Sequence, residues 1–247
     1  MLVLKNDVFQ LGPHLLGCGD ARDPEMVRRV CKDRSIPLLL SDMPYGIRVV
    51  ESKANFSQST NKKVMANDHF QSDSEYSKFT SDWLNLVKPF LEKKNAYYLF
   101  NSDKMLFAMR EGIIEAGFKF SQLLVWIKNN APIGRLDYLP QFELIGYGWF
   151  GTHAFQKSQD RSVIFYPKPN RSPLHPTQKP IGLLRRLILN SSKIGDYVYD
   201  GFAGSGSLGI ACEQTRRKAL MIEIDSKYCQ VIIERYKSLT GIEAKKL

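Results

Sequence analysis

Apolar positions recur along the chain with two periods. Ile36–Ser41 is a short, nearly continuous apolar run that predicts a buried strand, and it stops at Asp42-Met-Pro-Tyr-Gly46, where Pro44 and Gly46 oppose its continuation. Tyr76, Phe79, Trp83, Leu86, Val87 and Phe90 return at helical spacing; strand-like Ala96–Phe100 follows, then a helix over Met105–Ala116 ended by Gly117. Phe118–Lys128 predicts a long strand, with Phe142–Phe150 as its pairing partner. Leu183, Leu184, Leu187 and Ile188 mark a helix with Pro180 near its start. Tyr197–Asp200 reads as a strand, Ser205–Gln214 as a helix and Ala219–Ile224 as a strand, and Tyr228, Val231, Ile232 and Tyr236 mark a last amphipathic helix. Strands alternating with helices predict an α/β fold, with a largely parallel sheet covered on both faces. The stretch 47–74 is polar and without period, and reads as a mobile surface loop.

Composition narrows this picture. With 247 residues, 43% of them apolar, the chain can bury a real core, which excludes global disorder and allows one large α/β domain or two small ones. Lys and Arg number 35 against 25 Asp and Glu, a net +10, and that field attracts polyanions. The excess is concentrated in residues 151–193, where eight basic residues face Asp160 alone. No apolar run approaches the roughly 20 residues of a spanning helix, and Lys5 and Asp7 interrupt the apolar start, so a soluble, cytoplasmic protein with no membrane partner is expected. Cys18, Cys31, Cys212 and Cys229 form no Cys-x-x-Cys pair and no His stands at ligand spacing, so four buried thiols and no metal are expected.

Two segments can carry chemistry. Asp200-Gly-Phe-Ala-Gly-Ser-Gly206 follows a strand and opens a helix, where glycines let the backbone approach a ligand and the helix N-terminus presents N–H groups. Gly204, Gly206 and Gly209 also satisfy the G-x-G-x-x-G spacing, with Glu223 ending the next strand where a ribose-binding acid belongs. Alone, this fits a nucleotide-like cofactor, a dehydrogenase or a mere tight turn. Asp42-Met-Pro-Tyr45 combines a carboxylate, backbone carbonyls and an aromatic face, which suit an extruded base and its poorly nucleophilic exocyclic amine. As an isolated tetrapeptide it also fits a β-turn.

In this order, Asp42-Met-Pro-Tyr-Gly46, His175-Pro-Thr-Gln-Lys-Pro180 and Asp200-Gly-Phe-Ala-Gly-Ser-Gly206 resemble the β-group amino-methyltransferases of DNA. There a D-P-P-Y motif precedes an F-x-G-x-G motif, a circular permutation of the usual order. Leu11–Asp20, Val125-Trp-Ile-Lys128, Gly134-Arg135 with Phe142-Glu143, and Ile222-Glu-Ile-Asp225 with Tyr228 extend the likeness over nearly the whole chain. It implies one domain over 1–247 with a Rossmann-like, seven-stranded, mostly parallel sheet of the S-adenosylmethionine-dependent methyltransferase type. A small target-recognition insertion is implied at about 151–174.

By the same likeness, Asp200, Phe202, Ala203, Gly204, Ser205 and Gly206 hold the methionine part of S-adenosylmethionine and Glu223 accepts from its ribose. Thr177 and Lys179 lie near the methionine carboxylate, and Asp20 lines the same pocket. Asp42, Met43, Pro44 and Tyr45 form the catalytic motif, and Asp42 in first place resembles the N6-adenine subset. Lys157, Arg161, Lys168 and Arg171 would contact the phosphates of duplex DNA. The implied reaction is methyl transfer to adenine N6 with S-adenosylhomocysteine as product and without metal. Methylation of cytosine N4, or a DNA-binding module that keeps the cofactor without turnover, are the alternatives. The sequence leaves open a homodimer and a cognate restriction enzyme. Two residues depart from the pattern. Met43 stands for the first proline, which predicts a looser backbone, and Gly201 stands where proline is usual.

If the basic stretch meets phosphate, duplex binding followed by fluorescence anisotropy weakens steeply between about 50 and 200 mM salt. Replacing Lys157, Arg161, Lys168 and Arg171 by Ala then flattens that dependence.

Overall fold

The computed structural model describes residues 2–46, 71–131, 136–156, 159–168 and 178–247. In chain order the elements are β1 (Val8–Leu11), β2 (His14–Cys18), α1 (Pro24–Cys31), β3 (Ile36–Ser41), α2 (Asp73–Val87), β4 (Leu91–Asn101), α3 (Leu106–Glu115), β5 (Lys119–Ile127) and β6 (Phe142–Trp149). There follow β7 (Thr152–His153), β8 (Val163–Phe165), α4 (Ile181–Ser191), β9 (Tyr197–Asp200), α5 (Ser207–Thr215), β10 (Lys218–Glu223), α6 (Ser226–Thr240) and β11 (Lys245–Lys246). One sheet runs β11, β1, β2, β10, β9, β3, β4, β6, β5, β8, and β7 pairs with β4 off this path. From β2 to β4 all pairings are parallel. Strand β6 runs antiparallel to both its neighbours, β4 and β5.

The family resemblance implies seven strands, and the described residues form eleven. The stretch from β2 to β5 supplies seven, while β1, β11, β7 and β8 extend it. The β1–β2 hairpin and α1 escape the periodicity argument for physical reasons. All five residues of β2 are buried, so no polar alternation marks it. Helix α1 is only eight residues long, and its signal is Asp23-Pro24: the Asp23 side chain accepts from the Glu25 N–H, and Pro24 occupies the first turn, where its missing donor costs nothing. The other predicted elements are present, with ends shifted by a few residues.

Strand alternation sorts the core into two layers. Leu38, Leu40, Ala96, Tyr98, Phe100, Val198, Ala219 and Met221 face α4, α5 and α6. Leu39, Tyr97, Leu99, Tyr199, Leu220 and Ile222 face α1, α2 and α3. Consecutive residues of β3, β4, β9 and β10 therefore serve opposite layers, which fixes their register, since a one-residue slip would exchange the layers. The stretch expected as a recognition insertion contributes β7 and β8 to this same sheet. Its one acid, Asp160, ties it to α4 by accepting from Arg186 Nε at 3.0 Å and Asn190 Nδ2 at 2.6 Å. The four cysteines are buried and free. Among the described residues no helix is long and apolar enough to cross a membrane. Most of the expected loop, 47–70, lies outside the described residues.

Helices α2 and α3 touch where Gly112 has no side chain: a Cβ there would lie 2.2 Å from the Ser77 carbonyl oxygen and 2.7 Å from Thr80 Cβ. Gly112→Ala is expected to destabilise by about 1–3 kcal/mol through overpacking. In a thermal melt this reads as a fall of about 2–4 °C for each kcal/mol.

Candidate active site

Strands β3 and β9 are neighbours, with Leu38 paired to Val198 and Leu39 to Tyr199. Their C-terminal ends therefore deliver Asp42 and Asp200 to one place, although 158 positions separate them in the chain. An open cleft lies there, lined by Ser41, Asp42, Phe100, Lys179, Asp200 and the turn from Phe202 to Ser205. In an open parallel sheet this is the expected position for a ligand.

The wall on the β9 side is built from backbone donors and buried acids. Asp200 Oδ1 accepts from Ser41 Oγ at 2.5 Å and from the Phe202 N–H at 3.0 Å. The Gly201 N–H donates to the same Ser41 oxygen at 3.2 Å. Proline could not make that bond, so the glycine at this departure from the motif is used. Burial pushes the Asp200 carboxyl up to about 7. Glu223, at the end of β10, accepts from the Gly204 N–H at 2.7 Å and the Asp225 N–H at 2.9 Å, and burial also raises it to about 7. Gly206 caps α5 at φ +76°, and a Cβ there would lie 2.9 Å from Ile232. Arg235 Nη1 reaches across from α6 to donate to the Ser205 carbonyl at 2.8 Å. The Phe202 ring stands edge-on to Trp83 at 5.5 Å.

Opposite lies a cluster of charges. Lys179 Nζ is 2.5 Å from Asp42 Oδ2, 3.2 Å from Glu143 Oε2 and 3.3 Å from the Tyr45 hydroxyl. Lys128 Nζ meets Glu143 Oε1 at 2.9 Å. The Tyr45 hydroxyl stands 3.0 Å from Glu143 Oε2 and 3.2 Å from Asp42 Oδ1. Burial pushes the Asp42 carboxyl above its ordinary range against the pull of Lys179. Burial acts the same way on Glu143, but there Lys179 and Lys128 prevail and hold it down to about 2. The motif backbone is anchored too: Tyr76 donates to the Pro44 carbonyl at 2.7 Å, and Asn101 donates to the Tyr76 hydroxyl at 2.9 Å. Met43 is 1% exposed and packs in the layer of Leu39 and Tyr76. The looseness expected from replacing proline is thus countered by burial of this side chain.

Of the residues singled out in the sequence, Asp42, Lys179, Asp200, Phe202, Ala203, Gly204 and Ser205 line the one cleft. Lys179, expected beside a cofactor carboxylate, ion-pairs with Asp42 and Glu143, because two buried carboxylates converge on it. Asp20 lies outside the cleft lining; its carboxylate is engaged by the Arg22 side chain at 2.8 Å and the Arg22 N–H, also at 2.8 Å. The β2 end nevertheless adjoins Glu223, whose carbonyl accepts from the Gly19 N–H. Arg161 is exposed, and the Lys168 N–H donates to Asn129. Thr177, Lys157 and Arg171 lie outside the described residues. Sequence reasoning gave no role to Ser41, Lys128, Glu143 or Arg235. A signal existed for the first and third: Ser41 is the lone polar residue of β3, and Glu143 is a carboxylate within the mostly apolar start of β6. Among the described residues no group of three His, Cys, Asp or Glu side chains is placed to hold a metal ion.

The chain is similar to known proteins over most of its length. The protein-family model for N6/N4 DNA methylases matches residues 36–162 and 149–234. Type II methyltransferase M2.MboI of Moraxella bovis is 24% identical over 231 residues, covering 85% of this chain and 84% of that one. Type II methyltransferase M.HpaI of Haemophilus parainfluenzae is 26% identical over 234 residues, with 84% and 70% covered. The crystal structure of the M1.HpyAVI–SAM complex superposes with a TM-score of 0.65 at 21% identity, covering 89% of this chain and 98% of that chain.

Asp200 and Glu223 make stability depend on pH. Their folded pKa values, about 7, exceed the ordinary 3.8 and 4.5, so the stability they contribute is full below that ordinary range and is lost as pH rises toward and through 7. Melting temperature measured across that window falls in the wild type by more than in an Asp200→Asn, Glu223→Gln double variant. Equal slopes would contradict the assignment.

Proposed function

The chain belongs to the N6/N4 DNA methylase family, and on that premise we propose that it transfers a methyl group from S-adenosylmethionine to the N6 amine of adenine extruded from duplex DNA. The observation that carries this reading is the shared cleft: Asp42 of the motif after β3 and the turn after β9 line one space. The residues suit the cofactor. Asp200 and Glu223 are carboxylates whose charge is poorly solvated, and a ligand bringing an ammonium and hydroxyl donors would relieve both. Under this reading the turn from Phe202 to Gly206 holds the methionine part and Glu223 accepts from the ribose. The whole chain, 1–247, acts as one methyltransferase domain, and Lys157, Arg161, Lys168 and Arg171 hold DNA phosphates.

What the bound cofactor supplies is an electrophilic methyl on a sulfonium, whose sulfur leaves as a neutral thioether with the bonding pair. Everything else falls to the protein. Asp42 Oδ1 accepts an N–H of the exocyclic amine, and the Met43 carbonyl serves as second acceptor, so the nitrogen lone pair is freed from the ring to form the new N–C bond. The proton shed by that nitrogen passes through Asp42 to solvent. Tyr45 offers its ring face to the base. Burial of the site strengthens each of these contacts, and holding both reactants in line supplies much of the rate.

The test is to methylate DNA with the purified protein, digest it to nucleosides and analyse them by mass spectrometry. N6-methyladenine is expected, with Asp42→Ala lowering turnover at least about tenfold, a loss of roughly 1.4 kcal/mol, and leaving cofactor binding largely intact. N4-methylcytosine would overturn the choice of base. DNA binding without any methylated product would overturn the enzyme.

A further inference from the structure

The donors and acceptors of the charge cluster single out one residue beyond the motif. Lys179 has three N–H donors, and it stands within reach of three acceptors: Asp42 Oδ2, Glu143 Oε2 and the Tyr45 oxygen. The Tyr45 hydroxyl has one hydrogen and two carboxylates to choose between. Glu143 Oε2, at 3.0 Å, is nearer than Asp42 Oδ1, at 3.2 Å. While Tyr45 donates to Glu143, Asp42 Oδ1 keeps its acceptor capacity for an incoming N–H.

Glu143 is built to compete in this way. Its side chain is 13% exposed, and Lys128 neutralises one oxygen while the other faces Lys179 and Tyr45. It rides on β6 between β4 and β5, paired in register with Trp126, a fully buried residue whose indole N–H donates to the Tyr166 carbonyl at 2.7 Å. Two carboxylates and two ammonium groups make the cluster neutral. Removing the Glu143 charge would leave both lysines with Asp42 as the remaining carboxylate of the cluster.

We propose that Glu143 is a positioning residue of the methyl transfer: it takes the Tyr45 hydrogen and shares Lys179, so that Asp42 retains an oxygen for the target amine and the Tyr45 ring stays fixed. This rests on the functional reading above. Without the Glu143 charge, Tyr45 turns its hydrogen to Asp42 Oδ1 and Lys179 settles on Oδ2, which occupies the carboxylate before substrate arrives.

The experiment compares wild type, Glu143→Gln and Glu143→Asp for kcat, KM for DNA and the pH dependence of kcat at saturating cofactor. Saturation keeps Asp200 and Glu223, on the cofactor side, in the same loaded state in all three proteins. The charged and titratable groups facing Asp42 are Lys179, Glu143, Tyr45 and Asp200, with Lys128 and Lys168 acting on Glu143. Glu143→Gln is expected to lower kcat at least about tenfold with KM for DNA and cofactor affinity near wild type. Its acid limb of kcat moves to lower pH, because Asp42 loses a negative neighbour and keeps a positive one. Glu143→Asp, which retains the charge, recovers part of kcat and the wild-type limb. Unchanged kcat and limb in Glu143→Gln would remove this proposal alone. An equal kcat loss in both variants with no movement of the limb would reduce Glu143 to a structural role. Absence of methyl transfer by the wild type would take down the functional reading and this proposal with it.

Discussion

Lys179 carries an ammonium group into the interior with 6% of its side chain exposed, and a charge so placed is tolerable only when paired and hydrogen-bonded. The pairing is drawn from distant parts of the chain: Asp42 follows β3, Glu143 opens β6, and Lys179 itself precedes α4. Its ammonium also sits 5.2 Å from the Phe100 ring and 5.5 Å from that of Tyr45. One buried cation thus fixes three strand-end or loop segments against each other beside the cleft. Breaking such a pair leaves a buried charge uncompensated, typically at a cost of about 3–5 kcal/mol. The sheet brings these segments within reach, and the ion cluster specifies their side-chain geometry.

The fold was legible wherever one period dominated. Trp83 and its helically spaced neighbours announce α2, and the continuous apolar run of Ile36–Ser41 announces β3, while the two layers that alternate strand residues serve emerge only from the structure. The fold was illegible where the element is short and no contiguous apolar run marks it, as in β2 and α1. The glycine turn and Asp42 could be found because their chemistry is local and contiguous. Lys128 could not be assigned that way, and Glu143 showed only as a carboxylate in an apolar strand start: their roles emerge when β5 and β6 pair and set Glu143 between Lys128 and Lys179. A lysine read one residue at a time suggests a partner for an anionic ligand; its actual partners are carboxylates that only the tertiary fold supplies.

The two departures from the motif illustrate compensation of different kinds. Proline stiffens a backbone by restricting φ; Met43 reaches a comparable end by burying its side chain among Leu39, Tyr76 and Phe79, while Tyr76 pins the next carbonyl. At Gly201 the missing proline frees an N–H, and that donor goes to Ser41, which in turn donates to Asp200. A Cβ at Gly201 would approach Ala21 Cβ to 3.1 Å, so the small residue also suits the contact between the β9 and β2 ends. Ser41 and Gly201 are therefore best understood as a pair, each explaining the other.

The acids around the glycine turn and those around Lys179 differ in electrostatic state, and the difference follows from which partners burial leaves to each acid. Asp200 and Glu223 are met by hydroxyl and backbone donors, which satisfy oxygen lone pairs but do not cancel a charge, so both titrate near 7. Glu143 is met by two ammonium groups and stays ionised far below neutrality. Asp42 has both kinds of surroundings, a close cationic contact and a second carboxylate nearby that shares the cation, and burial pushes it above its ordinary range. Its Oδ2 is held by the Lys179 ammonium, and its Oδ1 offers a lone pair in a partly desolvated place. Those are the properties needed to accept a hydrogen bond from a neutral amine on which positive charge is developing.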